Sequence, residues 1–455
     1  MRTRSATLSE GGGGRVRRDA ANEYLRGALW AMPSLAVVIA LIAGSGLSYV
    51  EVRPGSWRDR FLFQGTADDA RTLLIAVTST MATVIALVLG LTVVALQLAS
   101  TQFSPRLLRN FLRDRVNQFV LSVFVATFVY SSAGLYTVGV KAGERTDEYP
   151  RLAVTVALVL LFVSLLMLVF FVHHLTHSIQ IDEVMRRVER KTLQVIDRDL
   201  PTVGVTTDPR PVPPEWAVDI PAYRSGYVQT IHPEALVAAA AATGVTASVT
   251  RMVGEHVIAG SALVRVWQDP PGPPPALDRL AAAARDAIRI GFERTAEQDV
   301  AFGVRQIADI AVKALSAAIN DPYTSIQAIE HLSVVLAALA KRELGSQFLR
   351  DQAGALRVVV PGRDLEYYLD LACGQVRRYG KSEPRVVRAQ LRLLHSTGLF
   401  CRDVDGRRLV VEQVKLLTAD AERGIVQPAD FVAVRDHADL VLGDLTKDQA
   451  ARPAY

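Results

Sequence analysis

Four long stretches without a charged side chain dominate the N-terminal part of the chain. They cover residues 27–50, 72–100, 118–140 and 152–172. Each reaches the roughly 20 residues that an α-helix needs to cross the hydrocarbon core of a bilayer. A secretory signal has a shorter apolar core, and three further apolar stretches do not follow it. The pattern therefore predicts a four-helix transmembrane domain at 23–180, after a disordered basic tail at 1–22.

The distribution of arginine predicts how these helices are oriented. Loops on the cytoplasmic side of a membrane are enriched in Lys and Arg. The tail before the first stretch and the segment after the fourth are basic, whereas the loops at 51–71 and 141–151 are balanced in charge. The loop at 101–117 is basic as well, with Arg106, Arg109, Arg113 and Arg115 against Asp114. We therefore expect a multi-pass protein of the bacterial inner (plasma) membrane, with its N-terminus, this loop and the C-terminal half in the cytoplasm.

The basic loop has a second interpretation. Ser104 and Pro105 are typical of the start of a helix, and Leu107 and Phe111 then recur at helical spacing. A short amphipathic helix at the inner leaflet would place its arginines near lipid phosphates. The residues for this contact are Arg106, Arg109 and Arg113. The alternative is a plain helical connector between two spans.

The polar residues of the membrane domain do not indicate a pump. Ion-coupled carriers usually need ionisable groups at membrane depth, and the predicted spans contain none. The second span has a face of small or hydroxylated residues, which either packs against another helix or lines a pore: Ser79, Thr83, Ala86 and Gly90. His173 and His177, one turn apart, are either metal ligands or interfacial residues, and we predict no metal.

The chain after residue 180 has an ordinary globular composition. It begins with a helical connector and a proline-rich segment at 181–222, followed by a small β-module at 223–268. Strands are predicted at Tyr227–Ile231, Val245–Val253 and Leu263–Trp267, with a helix at Pro233–Ala242. This order is similar to half of a biotinyl or lipoyl barrel. Residues 223–268 contain no lysine to carry such a cofactor, so we predict no cofactor and a role in docking or assembly.

A proline-rich linker at 269–276 leads into a helical domain at 277–445, followed by a tail at 446–455. One helix is predicted from about Ala301 to Ala318, and a second begins at Asp321-Pro322, a cap residue followed by proline. Polar side chains are dense around these helices. The candidate ligand-binding residues are Arg294, Gln298, Asp299, Arg305, Asp309, Asn320 and Asp321. The alternative is a salt ladder along the first helix plus a helix cap, and no catalytic residue is predicted.

Other parts of the C-terminal half bear on possible partners and on the cysteines. Arg385, Arg388 and Arg392 share a helical face that either binds anionic lipid or phosphate or is a solvated surface. The formal net charge of +5 is modest for 455 residues, and the C-terminal aromatic residues are too few for a base-stacking platform, so we predict no nucleic-acid partner. Two distant cysteines, Cys373 and Cys401, indicate buried reduced thiols.

Three segments together resemble a known family. They are "STQFSPRLLRNFLRDRVNQFVLSVFVATFVY", "RTAEQDVAFGVRQIADIAVKALSAAINDPYTSIQAIEHL" and "QVRRYG". They look like the bacterial predicted membrane proteins catalogued as domain of unknown function 2254. The likeness runs from about residue 30 to 440, and it implies the four-span topology and the cytoplasmic domain but no activity. The family usually has Pro-Gly where this chain has Ala317-Ala318.

The sequence thus predicts a mostly α membrane protein, in which four transmembrane helices precede a cytoplasmic α+β region. The leading hypothesis is a non-enzymatic inner-membrane protein whose cytoplasmic domain senses or scaffolds. We expect a homo-oligomer with membrane lipids as partners, and a channel would require the oligomer because four spans are few to enclose a path. The alternatives are a ligand-responsive regulator or enzyme with a polar site in 294–325, and a purely structural membrane organiser.

Overall fold

The computed structural model describes residues 30–47, 62–102, 115–138, 140–141, 144–145, 149–178, 180–201, 211–268, 271–272 and 276–447. The chain divides into two compact units, an N-terminal unit up to Glu183 and a C-terminal unit from Val184. The N-terminal unit contains the helices α1 (Ala31–Leu47), α2 (Ala67–Gln102), α3 (Arg115–Thr137) and α4 (Arg151–Ser178), and the two-residue strands β1 (Val140–Lys141) and β2 (Glu144–Arg145).

Three predicted spans coincide with helices that are long and apolar enough to cross a membrane. Such stretches occur in α2, α3 and α4, at Ala67–Gln97, Arg115–Tyr136 and Arg151–His177. The first predicted span contains α1, which is an apolar helix of 17 residues in the described part of the chain. The residues that flank α1 lie outside the described ranges. The structure therefore supports a membrane protein with several apolar helices.

Helix α3 lies at the centre of the N-terminal unit and packs against α1, α2 and α4. The close approach of α1 depends on Gly44, where an added Cβ would lie 3.1 Å from Ala133 Cβ. Hydroxyl groups connect α3 to α4, since Thr127 Oγ1 lies 2.9 Å from Ser164 Oγ. Large apolar side chains remain on the outside of the unit, which suits a lipid environment. They include Leu35, Ile42, Val93, Leu166 and Val169.

The C-terminal unit begins with α5 (Ile181–Asp199), which starts just before the boundary at Val184. An α+β region follows: β3 (Val218–Pro221), β4 (Gly226–Ile231), α6 (Glu234–Thr243), β5 (Thr246–Val249), β6 (His256–Val257), β7 (Ala262–Trp267), α7 (Leu277–Ala287) and β8 (Ile288–Gly291). The long helices α8 (Val300–Ala314) and α9 (Pro322–Ala340) come next, then β9 (Gln347–Arg350) and β10 (Leu356–Val360).

Helices complete the C-terminal unit. They are α10 (Leu365–Leu369), which continues through a π-helical turn at Asp370–Gly374 into α11 (Gln375–Gly380), then α12 (Pro384–Phe400), α13 (Val404–Gly424) and α14 (Pro428–Thr446). The strands form a five-stranded sheet of order β3-β7-β5-β10-β9 and a three-stranded sheet of order β6-β4-β8. One apolar core, which includes Val228, Leu236, Val264 and Ile290, unites both sheets with α6 and α7.

The predicted β-module is not closed within 223–268. Its strands β4 and β7 match the prediction closely, and β5 covers only Thr246–Val249 of the predicted Val245–Val253. Each of the three pairs with a strand outside that range. β4 pairs with β8, β7 pairs with β3, and β5 pairs in parallel with β10, with Ala247 opposite Val358. An isolated three-strand module would leave these edges unpaired. The sheets therefore extend into the segment predicted as a helical domain.

The first helix of the polar segment is shorter than predicted. Helix α8 ends at Ala314 instead of Ala318, and turns lead from there to Asn320 at a positive φ of 48°. Helix α9 begins at Pro322 with Asp321 as its cap, as predicted.

Helix α9 is a fourth helix that is long and apolar enough to span a membrane. It packs against α8 and α12 inside the C-terminal unit, and its apolar side includes the fully buried Leu332, Val335 and Leu336. Because these apolar side chains pack against protein, although others such as Val334 are exposed, we assign its composition to a helical core and not to a span.

Candidate functional site

A buried ion pair lies at the N-terminal end of α8. Asp299 is the N-cap residue of this helix, and its Oδ1 accepts a hydrogen bond of 3.0 Å from the Phe302 amide. Its Oδ2 accepts hydrogen bonds from Arg294 Nε at 3.0 Å and Nη2 at 2.7 Å. Only 1% of the Asp299 side chain is exposed. The carboxylate therefore satisfies the helix end and a guanidinium at once.

A second arginine reaches the same carboxylate from a distant segment. Arg363 follows β10, and its Nη1 lies 3.8 Å from Asp299 Oδ1. The same Nη1 donates a hydrogen bond of 2.8 Å to the Val253 carbonyl. The Arg363 side chain is 9% exposed, and its buried Nε has no hydrogen-bond partner among the described residues. A buried donor left without a partner is costly.

The turn after β5 must come very close to this pair. Gly254 has a φ of 86°, and an added Cβ would lie 2.0 Å from Asp299 Oδ2. Glycine is the residue that accepts this backbone conformation without strain, and a side chain would displace the ion pair. The glycine at position 254 therefore leaves the space that the Asp299 carboxylate occupies.

Gln298 connects the start of α8 to the end of β4. Its side-chain oxygen accepts a hydrogen bond of 2.8 Å from the Ile231 amide, and its Nε2 donates one of 3.3 Å to the Ile231 carbonyl. Helix α6 begins directly after this strand end, at Glu234, and no side chain in the described part of the chain caps it. The first amides of a helix carry partial positive charge and seek acceptors.

Gln298 and Arg363 line a cavity of about 600 Å³ in the C-terminal unit, whereas Arg294, Asp299 and Gly254 are not among its lining residues. Its polar lining consists mainly of Arg198, Asp199, His232, Glu234, Glu297, Gln298 and Arg363. Its apolar lining includes Ile231, Met252, Val300, Leu349, Val360 and the aromatic ring of Tyr368. A volume of this size suits a small organic ligand, since ligand pockets usually measure about 300–1,000 Å³. We name this space the Arg363 cavity.

The charges are unevenly distributed around the Arg363 cavity. Burial raises the pKa of Asp299, while the guanidinium groups of Arg294 and Arg363 oppose that rise. Burial also raises the pKa of Tyr368, so that its hydroxyl stays protonated at neutral pH. Arg294 and Arg363 share the buried carboxylate of Asp299, which does not itself line the cavity. The acids that line the cavity are Asp199, Glu234 and Glu297, against the two arginines Arg198 and Arg363.

The end of α5 forms one wall of the Arg363 cavity. Arg198 lines it, donates a hydrogen bond to the carbonyl of Glu297 and pairs with Asp199 at 2.7 Å. Arg342, from the loop after α9, donates to Asp197 and, at 3.1 Å, to the Leu200 carbonyl. The last turn of α5 is thus fixed by two segments. One contains Glu297, which lines the cavity, and the other is the loop at Arg342, which precedes the lining residue Gly345.

Comparison with known proteins places the chain in a family. The model of a family described as predicted membrane protein, domain of unknown function 2254 (DUF2254), matches residues 26–396. The chain belongs to the DUF2254 family. An uncharacterized protein of Mycobacterium bovis and one of Mycobacterium tuberculosis are each 44% identical to it over 425 residues, which cover 92% of this chain and 81% of the relative. No solved structure matches the chain.

The structure separates the predicted ligand-binding residues of this DUF2254 protein into two groups. Arg294, Gln298 and Asp299 meet at the N-terminal end of α8, while Asn320 and Asp321 lie beyond its other end. A helix of the 15 residues of α8 is about 22 Å long at about 1.5 Å per residue. The seven residues therefore do not line one site.

The two half-buried residues between these groups, Arg305 and Asp309, lie within α8. Asp321 serves as a cap, because its Oδ1 accepts from the Thr324 amide at 3.1 Å and its Oδ2 from the Thr324 hydroxyl at 2.6 Å. The cap part of the alternative interpretation is thus present in the structure.

Sequence reasoning missed Arg363, Arg198 and Tyr368. They are far from residues 294–299 along the chain. Arg363 and Tyr368 follow β10, which pairs with β5, and Arg198 is placed by α5. One signal was present: Arg363 stands in "VVVPGRD", directly after a buried strand. A loop that follows such a strand is a common position for binding residues.

The remaining candidates do not form a further site in the described residues. Arg106, Arg109 and Arg113 lie outside the described ranges. The imidazole rings of His173 and His177 lie 4.2 Å apart, and no group of three or more potential metal ligands occurs in the part of the chain that the structure describes. Cys373 and Cys401 are buried, which raises the pKa of each thiol to about 12.

Proposed function

We propose that this DUF2254 protein is a multi-pass protein of the bacterial plasma membrane whose cytoplasmic C-terminal unit binds a small-molecule ligand and acts as a sensor. The observation that carries the proposal is the Arg363 cavity, whose volume of about 600 Å³ suits a small organic ligand and whose lining combines apolar side chains with polar ones such as His232, Gln298 and Arg363. Membrane lipids surround its apolar helices, and nucleic acid is not among its partners.

Binding fits the geometry of the Arg363 cavity better than catalysis. The buried carboxylate, Asp299, accepts two hydrogen bonds from Arg294 and one from the Phe302 amide. A general base needs a free acceptor that can take a proton from a substrate, and Asp299 is engaged on both oxygens. The pair of Asp299 and Arg294 therefore fixes the start of α8 beside the cavity and is not a proton-transfer pair.

A ligand-binding experiment tests the sensor. The full chain is purified in detergent, and native mass spectrometry records co-purified small molecules while thermal unfolding is followed with a panel of metabolites. We expect a bound molecule, or a ligand that raises the melting temperature, for the parent protein and for Arg408→Gln, whose side chain is 68% exposed in α13. Arg363→Gln should lose the effect. Equal binding by both variants would remove the Arg363 cavity from the proposal.

The orientation rests on the arginine-rich segments of the sequence. Alkaline phosphatase is active only outside the cytoplasm, so fusions after Gln64 and after Thr146 should be active. A fusion after Arg109 should be inactive. Activity of the Arg109 fusion would contradict a cytoplasmic N-terminus and C-terminal unit.

A homo-oligomer with a channel through the membrane is the second candidate function. Its support is the small-residue face of α2, formed by Ser79, Thr83, Ala86 and Gly90, which is exposed in the N-terminal unit. Gly90 has no atom within 4 Å of an added Cβ. Small residues on a lipid-exposed face favour association between helices of different chains. The same native mass spectra measure the oligomer, and a monomer would exclude a channel of this kind.

A further inference from the structure

The last three helices of the C-terminal unit, α12, α13 and α14, pack against one another. Short loops join them, so the chain reverses twice and α14 runs in the same direction as α12. Near their C-terminal ends, His395 Nε2 of α12 lies 3.4 Å from Asp444 Oδ2 of α14. About one turn further along α12, an added Cβ at Gly398 would lie 2.5 Å from Leu445 Cδ2. These contacts identify the faces by which α12 and α14 meet.

The same two faces carry a second histidine in a different setting. About two turns before the contact of His395 with Asp444, α12 carries Arg388 and α14 carries the half-buried His437. Because the helices are parallel and positions two turns apart share a face, Arg388 lies on the side of α12 that meets His437. Arg392 follows Arg388 by one turn on that side. The second histidine therefore lies beside guanidinium groups and not beside a carboxylate.

His437 is poorly placed to accept a proton. Its Nδ1 is buried and has no hydrogen-bond partner among the described residues. A proton on this atom would be a buried donor without an acceptor, which is costly. Burial lowers the pKa of His437, and the positive charges of Arg388, Arg392 and His395 lower it further. The packing of α14 on α12 thus favours the neutral imidazole.

The acids near this interface do not offset the positive charges at His437. Asp436 and Asp439 of α14 are exposed to solvent, where salt screens their charges. Asp444 lies opposite His395, and the described residues of α13 contribute none of the groups that shift the pKa of His437. A protonated His395 would thus face a carboxylate, whereas a protonated His437 would face cations.

Arg392 has a counter-charge on another helix. Its Nη2 lies 3.6 Å from Glu330 Oε1 of α9, and both side chains are more than half exposed. A pair this exposed to solvent is weak, so it reduces the repulsion between Arg392 and a protonated His437 only in part. Arg388 is the charge to remove in a test, because it lies on the contact face and is exposed.

We propose that the packing of α14 on α12 is sensitive to pH: protonation of His437 beside Arg388 and Arg392 loosens α14, while His395 and Asp444 retain its C-terminal end. Buried histidines next to cations act in this way in other proteins that respond to pH. The proposal goes beyond the ligand sensor and does not depend on the Arg363 cavity. It gives the C-terminal unit a response to acidification of its surroundings.

The direction of the effect follows from the environment of His437. Away from α12 its imidazole is solvated and far from the guanidinium groups, so the detached helix binds a proton more readily than the packed helix does. A falling pH therefore favours detachment. The effect begins below the usual pKa of histidine, about 6.5, and is complete once His437 of the packed helix is itself protonated.

Hydrogen exchange measured by mass spectrometry on the full chain in detergent tests the proposal. Exchange is compared at about pH 7.5 and about pH 5.5, on either side of the usual histidine pKa, and is corrected for the intrinsic effect of pH on amide exchange. In the parent protein, peptides that cover 431–442 should exchange several-fold faster at the lower pH. Peptides from α9 should exchange at the same corrected rate at both pH values.

Three variants assign the response to individual side chains. His437→Gln removes the proton site and should exchange equally at both pH values. Arg388→Gln removes one repelling charge and should shrink the acid response, and because Arg388 is exposed this variant carries the test if His437→Gln does not fold. His395→Gln is the matched control from the same interface and should retain the response at 431–442.

Four results would overturn the proposal. The parent protein could show no acid response at 431–442, or His437→Gln could retain the full response. Loss of the response in His395→Gln would assign it to the contact with Asp444 instead. Faster exchange at the lower pH that extends equally to α9 would show a general loss of structure and not a local release of α14.

Discussion

Two aspartates, Asp299 and Asp321, begin consecutive helices of the C-terminal unit and make the same local contact. Each accepts a hydrogen bond from the backbone amide three residues later, at 3.0 Å for Asp299 and 3.1 Å for Asp321. Their surroundings differ. Asp299 is 1% exposed and lies between two arginines, whereas Asp321 is half-buried and its second oxygen accepts from the Thr324 hydroxyl.

The difference shows that contacts from segments far along the chain, and not the cap itself, determine whether a capping aspartate belongs to a larger polar cluster. The sequence predicts the cap at Asp321, and an aspartate also precedes the helical pattern of α8 at Asp299. The groups that surround Asp299, however, come from the turn at Gly254 and from the loop after β10 at Arg363. At Asp321 the partner is the neighbouring Thr324. We therefore expect the two carboxylates to differ strongly in their contribution to stability.

The largest expected effect is that of Asp299→Ala. The substitution removes the only carboxylate that faces Arg294 and Arg363 among the described ion pairs. Because removal of one partner leaves a buried charge uncompensated, we expect a loss of about 3–5 kcal/mol in the free energy of unfolding. The measurement is thermal and urea unfolding of the full chain in detergent, followed by tryptophan fluorescence.

Asp299→Asn separates the charge from the cap. Asparagine is as good an N-cap as aspartate, so this variant keeps the contact with the Phe302 amide but leaves both arginines without a counter-charge. It should therefore retain most of the loss. If Asp299→Asn melts at the same temperature as the parent protein, Arg294 and Arg363 do not need the negative charge of Asp299. The expected difference between the two caps would then be wrong.

Local features of the fold were predictable from the sequence, and long-range ones were not. The apolar helices follow from runs without charge at 72–100, 118–140 and 152–172, since lipid imposes a minimum length on each. The strands β4, β5 and β7 follow from alternating and β-branched residues between glycines. The pairing of β5 with β10 did not follow, because it joins Ala247 to Val358 across more than a hundred residues and no local pattern specifies it.

The same distinction applies to the candidate site. Arg294, Gln298 and Asp299 stand within six residues and were recognised as a polar group. The ligand-site interpretation extended this group to Asp321 on the basis of spacing along the chain, whereas the helix α8 holds the two ends apart. The alternative, a salt ladder with a helix cap, did not require them to be close. Arg363 was missed because a single arginine after a strand has no spacing that marks it.

The smallest expected effect is that of Asp321→Ala. The loss of an N-cap costs about 1 kcal/mol, so the shift in the melting temperature should be a fraction of that for Asp299→Ala. Asp321→Asn should be nearly neutral, in contrast to Asp299→Asn. If Asp321→Ala and Asp299→Ala destabilise the protein equally, burial is not what distinguishes the two caps.

The pH dependence of the melting temperature tests whether the ionised carboxylate of Asp321 stabilises the start of α9. Hydrogen bonds from the Thr324 hydroxyl and the Thr324 amide lower the pKa of Asp321 below its usual value. A carboxyl group whose pKa is lowered by folding stabilises the folded state above the unfolded pKa, and this stabilisation is lost as the pH falls through the folded pKa. The difference in melting temperature between the parent protein and Asp321→Ala should therefore be largest near about pH 6 and shrink toward about pH 3. A difference that stays constant over this range would mean that the ionised carboxylate does not stabilise the start of α9, and that the residue acts there only through its backbone conformation.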